Sequence, residues 1–92
     1  MFRFKKSVKR SYAEQGYIYY ISKMYDDLPR RGKETIWRAA FKAGGEPYLF
    51  ALFEYVTTYT SPEKICSKYY MSRGTLQRCV KRYFEIFPVR FR

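Results

Sequence analysis

Apolar residues recur along the chain at intervals of three and four, and no segment alternates with a period of two over a convincing length, which predicts an all-α fold. Punctuation divides the pattern into about five short helices. The first runs from Ser11 to about Tyr25 with Tyr17, Ile18, Ile21, Met24 and Tyr25 on one face, and it ends in "DDLPRRG", where the proline biases Leu28 out of the helix and Gly32 permits a turn. The second, from about Lys33 to Ala43, carries Ile36, Trp37, Ala40 and Phe41 and stops at Gly44-Gly45. Pro47 suits the first turn of a third helix, where its missing N–H is harmless; Leu49, Leu52, Phe53 and Val56 form its buried stripe, and it fades in "TTYT".

The last two starts are marked most clearly. In "TSPEK" Ser61 can cap a fourth helix, Pro62 fits its first position and Glu63 favours the positive end of the dipole. A fifth helix begins behind Ser72 as N-cap and runs to about Phe87, where Pro88 ends it and "PVRFR" continues as a basic tail. The chain is expected to be a single domain over residues 1–92, with a basic arm at 1–10, a two-helix unit at 62–87 and the basic tail at 88–92.

Composition narrows the function. The 92 residues are 47% hydrophobic and 22% aromatic, so the chain should fold, and the net charge of +11 on so small a body calls for a polyanionic partner. Nucleic acid comes first and an anionic membrane surface second. Histidine is absent, which removes the commonest general base and the commonest metal ligand; no enzyme, no metal and no cofactor is expected. Cys66 and Cys79 have no CxxC spacing, and each falls on an apolar helix position, so both read as reduced, buried thiols. "MFRFKKSVKR" has basic residues but no apolar core behind them, and the longest apolar run, "YLFALF", is far short of a membrane span. The expectation is a soluble, cytoplasmic, nucleoid-associated protein.

Two helices that meet through a short turn need apolar residues at particular offsets: an aliphatic early in the first helix with a small neighbour, one more a turn later, one in the turn, and two along the second helix. Ile65, Cys66, Tyr69, Met71, Leu76 and Cys79 occupy those offsets. The segment from about Pro62 to Tyr83, a quarter of the chain, thereby resembles the helix-turn-helix superfamily of bacterial and phage DNA-binding proteins. The family wording "I-A-x-x-[apolar]-x-[apolar]-S-x-x-T-[apolar]" stands here as "ICSKYYMSRGTL". The resemblance implies a C-terminal trihelical unit from about Pro47 to Phe87, with the two N-terminal helices packed on it, and a second helix that lies in the major groove. Two residues depart from the pattern: Cys66 replaces the usual alanine, and Tyr70 stands where many members place glycine. A tyrosine at positive φ is costly, so a longer or differently wound turn is expected.

Stepping 100° per residue along the fifth helix puts Leu76, Cys79, Val80, Tyr83, Phe84 and Phe87 on one side and Arg73, Gly74, Gln77, Arg78 and Lys81 on the other. Arg73, Gln77 and Arg78 are the candidate base readers, since Arg pairs with guanine O6/N7 and Gln with adenine N6/N7, while Gly74 lets backbone approach closely. Ser72, Thr75, Lys81, Lys68 and Arg82 are candidate contacts to the DNA backbone, and Lys5, Lys6 and Arg10 join them from an arm that resembles those that follow a phosphate backbone.

The aromatics in "GYIYY" and "FEYVTTY" are assigned mainly to the core, and those left over to a homodimer interface on the first helix, the usual way for such modules to read two half-sites. The function expected is sequence-specific binding of double-stranded DNA by a small transcriptional regulator of bacteriophage or mobile-element type. The alternatives are a DNA-recognition subunit of a packaging, recombination or plasmid-maintenance complex, a regulatory protein that binds RNA polymerase, and a basic amphipathic protein of membrane surfaces.

Overall fold

A computed structural model of the chain describes residues 4–89. They form four α-helices, α1 (Tyr12–Lys23), α2 (Arg30–Thr57), α3 (Pro62–Tyr69) and α4 (Arg73–Ile86), with a single 3₁₀ turn at Tyr25–Asp27 between the first two. The all-α expectation holds, with four helical elements against about five expected, because the second and third expected helices follow each other across a sharp bend and are taken together as α2.

That element is broken where the glycines and Pro47 predicted a stop. Gly45 takes φ 68° and ψ −177°, which an L side chain rarely adopts, so α2 is two helices joined at an elbow. Its first half begins at Arg30, directly after the extended Leu28 and Pro29, rather than at Lys33. The other three starts were legible: Ser11, Ser61 and Ser72 each accept a hydrogen bond from the backbone three residues on, and Glu14 completes a capping box with Ser11.

The core gathers Ile18 from α1, Ile36, Ala40, Leu49, Leu52 and Val56 from α2, Ile65 from α3 and all six inward residues of α4 or its cap, Leu76, Cys79, Val80, Tyr83, Phe84 and Phe87. α4 packs chiefly on α2. On α1 the predicted face is only partly the buried one: Ile18 is buried and Ile21 and Tyr25 pack against the core, but Tyr17 and Met24 are exposed, while Gln15 and Ser22 are buried. Each of these polar side chains has partners. Ser22 donates its proton to the Ile18 carbonyl at 2.7 Å, which leaves its oxygen to accept from the Tyr83 hydroxyl at 2.7 Å, and burial pushes the Tyr83 hydroxyl well above the ordinary tyrosine range. Trp37 and Phe41 are likewise exposed rather than buried. Cys66 is only half-buried, which corrects the expectation for that thiol; Cys79 is buried, and both are free.

The N-terminal arm is folded against the body over the part described. Val8 is buried, Lys9 N–H donates to Glu85 and the Arg10 guanidinium donates to the carbonyls of Glu85 and Phe87, at 3.0 and 2.6 Å. The start of the arm and residues 90–92 of the basic tail lie outside the described residues.

Candidate nucleic-acid interface

α3 and α4 are joined by Tyr70, Met71 and Ser72. Tyr70 adopts the left-handed conformation, φ 54° and ψ 49°, and its side chain is 96% exposed. The turn is therefore not longer or wound otherwise: tyrosine occupies the conformation that glycine would take at lower cost, and the strain is tolerated because the chain on both sides is anchored. On one side the Met71 N–H bonds the Cys66 carbonyl at 3.1 Å. On the other Met71 is buried and Ser72 caps α4. Of the six inward offsets, Ile65, Met71, Leu76 and Cys79 are buried, while Cys66 and Tyr69 lie at the margin of the core.

The opposite side of α4 carries Arg73, Gly74, Gln77, Arg78, Lys81 and Arg82, all exposed. At its N-terminus the side chains form a short hydrogen-bonded chain. Ser72 Oγ accepts from Thr75 N–H at 3.1 Å and donates to Thr75 Oγ1 at 2.9 Å, and Arg78 donates to the same Oγ1 at 3.2 Å. This chain holds Arg78 back along the first turn. A methyl group on Gly74 would meet Arg78 Nη1 at 3.7 Å and Ser72 Oγ at 3.9 Å, ordinary contacts, so the fold itself does not require glycine there.

Other cations are committed. Arg73 pairs with Glu63 at 2.7 Å, an exposed bridge from α4 to the first turn of α3. Lys68 pairs with Glu54 at 2.8 Å, and Glu54 also accepts from the Tyr69 hydroxyl at 2.8 Å. The hydrogen bonds from Lys68 and Tyr69 lower the Glu54 carboxyl below the usual range, and the bond to Glu54 raises the Lys68 amine. Arg82 donates to the Lys42 carbonyl at 3.3 Å and so reaches α2 close to its elbow. Arg10 is spent on the end of α4 and on Glu14, 3.7 Å away, and acts as a staple of the arm instead of a free phosphate ligand.

The arm nevertheless contributes to the surface. Lys5 and Ser7 line one side of a groove of about 430 Å³ whose other side is Arg73, Gln77 and Lys81 from α4. What puts Lys5 there is Gln15, whose buried amide clasps the Lys5 backbone. Sequence reasoning missed this because a glutamine in a helix reads as polar surface; the only local sign is that Gln15 lies three residues before Ile18 on the same face. It also missed Glu63 as a partner for Arg73. Among the described residues no three His, Cys, Asp or Glu side chains gather where a metal ion could be held, and no helix is long and apolar enough to cross a membrane.

Compared with known protein families, with curated proteins and with solved structures, the chain shows no match.

Proposed function

We propose that the protein binds double-stranded DNA sequence-specifically through α4, with Gln77, Arg78 and Arg73 reading base edges in the major groove. The observation that carries this reading is the two-sidedness of α4: a fully buried apolar face seats the helix on α2, and the exposed face bears arginine, glutamine and lysine with no acidic residue from Arg73 to Arg82. Gly74, in the first turn of α4, is compatible with this reading: a Cβ there would make only ordinary contacts, so nothing within the protein requires glycine, and its absence leaves room for a phosphate or base edge to approach the backbone.

Ser72, Thr75 and Lys81 then position phosphates around the N-terminal half of α4, and Lys5 and Lys6 extend the contact from the docked arm. Lys68 and Arg82 flank them, with Lys68 exchanging Glu54 for phosphate on binding. The job that fits is regulation of transcription by occupying an operator or positioning polymerase, with recognition in a packaging, recombination or plasmid-maintenance complex as the alternative. A two-fold dimer across the exposed side of α1 would present two such helices to two half-sites; a monomer by light scattering, both free and on DNA, removes the dimer.

Selection of binding sites from random duplex DNA tests the reading, with the wild type beside Gln77→Ala and Arg78→Ala. An enriched motif is expected, and each substitution should cost about 1–3 kcal/mol and relax preference at one position. No motif, or equal weakening on every sequence, would leave a nonspecific polyanion binder. If about 6 to 10 phosphates are neutralised, affinity should fall roughly 10³- to 10⁵-fold between 50 and 200 mM salt.

A further inference from the structure

The elbow of α2 turns aromatic side chains outward. Trp37 in the first half of the helix meets Phe50 and Phe53 in the second half, with ring centroids 5.8 and 5.0 Å apart, and Phe53 meets Tyr25 edge-on at 4.9 Å. Trp37, Phe41 and Phe50 remain 39%, 47% and 61% exposed, although their neighbours Ile36, Ala40 and Leu49 are buried. Beside this cluster lies a hollow of about 490 Å³ formed by Tyr25, Trp37 and Phe41 with Arg30, Lys33 and Arg38 around it. The one acidic residue in its wall, Glu34, is paired with Arg30 at 3.0 Å. No residue of α3 or α4 lines it.

We infer that this elbow is a docking site for an acidic segment of a partner protein, one that presents aromatic or aliphatic anchors among Asp and Glu residues. The apolar floor requires an anchor, because exposed aromatics gathered in one place gain most from removal from water. The basic rim selects the charge of what surrounds that anchor. A second copy of this chain does not fit the same hollow: a two-fold contact would set Arg30, Lys33 and Arg38 against their own images on a body of net charge +11. Single-stranded nucleic acid fits less well, since it needs rings presented one after another along a track, whereas these rings are packed edge-on against each other. The site stands apart from the DNA reading and does not depend on it.

Trp37 is the only tryptophan, so its emission reports directly on the hollow. The test uses the full chain at 150 mM salt with three labelled probes: an acidic amphipathic peptide with Phe and Leu one helical turn apart, the same peptide with both anchors replaced by serine, and a 12-nucleotide oligothymidylate. The anchored peptide should bind and shift Trp37 emission to the blue, and the serine peptide should bind at least about tenfold more weakly. Phe50→Ser and Arg38→Glu, both at exposed positions and checked for helical content, should each weaken the anchored peptide about tenfold, while Gln77→Ala and Arg78→Ala leave it within about twofold. Equal binding of the two peptides would reduce the effect to bulk charge and overturn the proposal. So would an oligothymidylate that binds more tightly and displaces the peptide, or a dimer that dissociates on Phe50→Ser.

Discussion

The side-chain amide of Gln15 satisfies both backbone groups of Lys5: Lys5 N–H donates to Gln15 Oε1 at 2.9 Å, and Gln15 Nε2 donates to the Lys5 carbonyl at 3.0 Å. Nε2 also reaches the Arg10 carbonyl at 3.1 Å. One buried amide thus closes the arm over α1 and holds Lys5 beside Gln77 and Lys81. Gln15→Ala should cost about 1–3 kcal/mol, because backbone groups at Lys5 and Arg10 lose their partners. Hydrogen exchange at residues 5–10 should accelerate, and DNA affinity should fall with no change in base preference. An unaltered exchange pattern would mean that the arm is held by Val8 and Arg10 alone.

Tyr70 has no packing to lose and a backbone conformation that costs an L residue roughly 1–2 kcal/mol. Tyr70→Gly should therefore stabilise the protein, by about 0.5–1 kcal/mol after the extra freedom of glycine in the unfolded chain is deducted. A thermal melt should show Tm higher by a few degrees. A lower Tm would indicate that the tyrosine ring holds the turn through a contact of its own.

Lys23 caps the end of α2 by donating to the Tyr55 carbonyl at 3.0 Å and to the Thr58 carbonyl, among the rings of Tyr19, Tyr55 and Tyr59. Burial there pushes its amine down to about 8. Below that pH both folded and unfolded chains hold the proton, so Lys23 adds no pH dependence. Above it the unfolded chain still binds a proton that the native chain releases, and stability rises with pH towards the ordinary lysine value. Buried Tyr83 acts in the opposite sense once unfolded tyrosines ionise, near pH 10. Between about pH 8 and 10, denaturant midpoints should climb more steeply for the wild type than for Lys23→Met. Parallel slopes would place the Lys23 amine at its ordinary value.

Arg73 must leave Glu63 if it is to reach a base. Both side chains are exposed, and such a pair contributes no more than about 1 kcal/mol. Glu63→Gln should accordingly tighten duplex binding by roughly two- to fivefold in an anisotropy titration, since it frees the guanidinium and removes a negative charge next to the DNA. The same change should lower stability by about 0.3–1 kcal/mol through the lost charge at the start of α3. Unchanged or weaker binding would assign Arg73 to the α3–α4 bridge and leave base reading to Gln77 and Arg78.

What the sequence determined by itself is local. The caps at Ser11, Ser61 and Ser72 act on backbone three residues away, the stop at Gly45 and Pro47 is a property of those residues, and the two faces of α4 follow from a 100° step against one strongly apolar stripe. Tertiary structure decided what depends on a neighbour distant in the chain. Periodicity found Ile18, Ile21 and Tyr25 on the inward side of α1, but the edges of that side turned on Ser22 meeting Tyr83 and Gln15 meeting Lys5; periodicity named Tyr17 and Met24 instead because it weighs hydrophobicity without knowing where polar partners lie. The exposure of Trp37 and Phe41 was decided by the elbow, which supplies Phe50 and Phe53 as neighbours and leaves no helix to cover them. Arg10, Arg73 and Lys68 look alike in the sequence as free positive charges; Glu85, Glu63 and Glu54 are brought to them, through backbone or carboxylate, only when the helices pack.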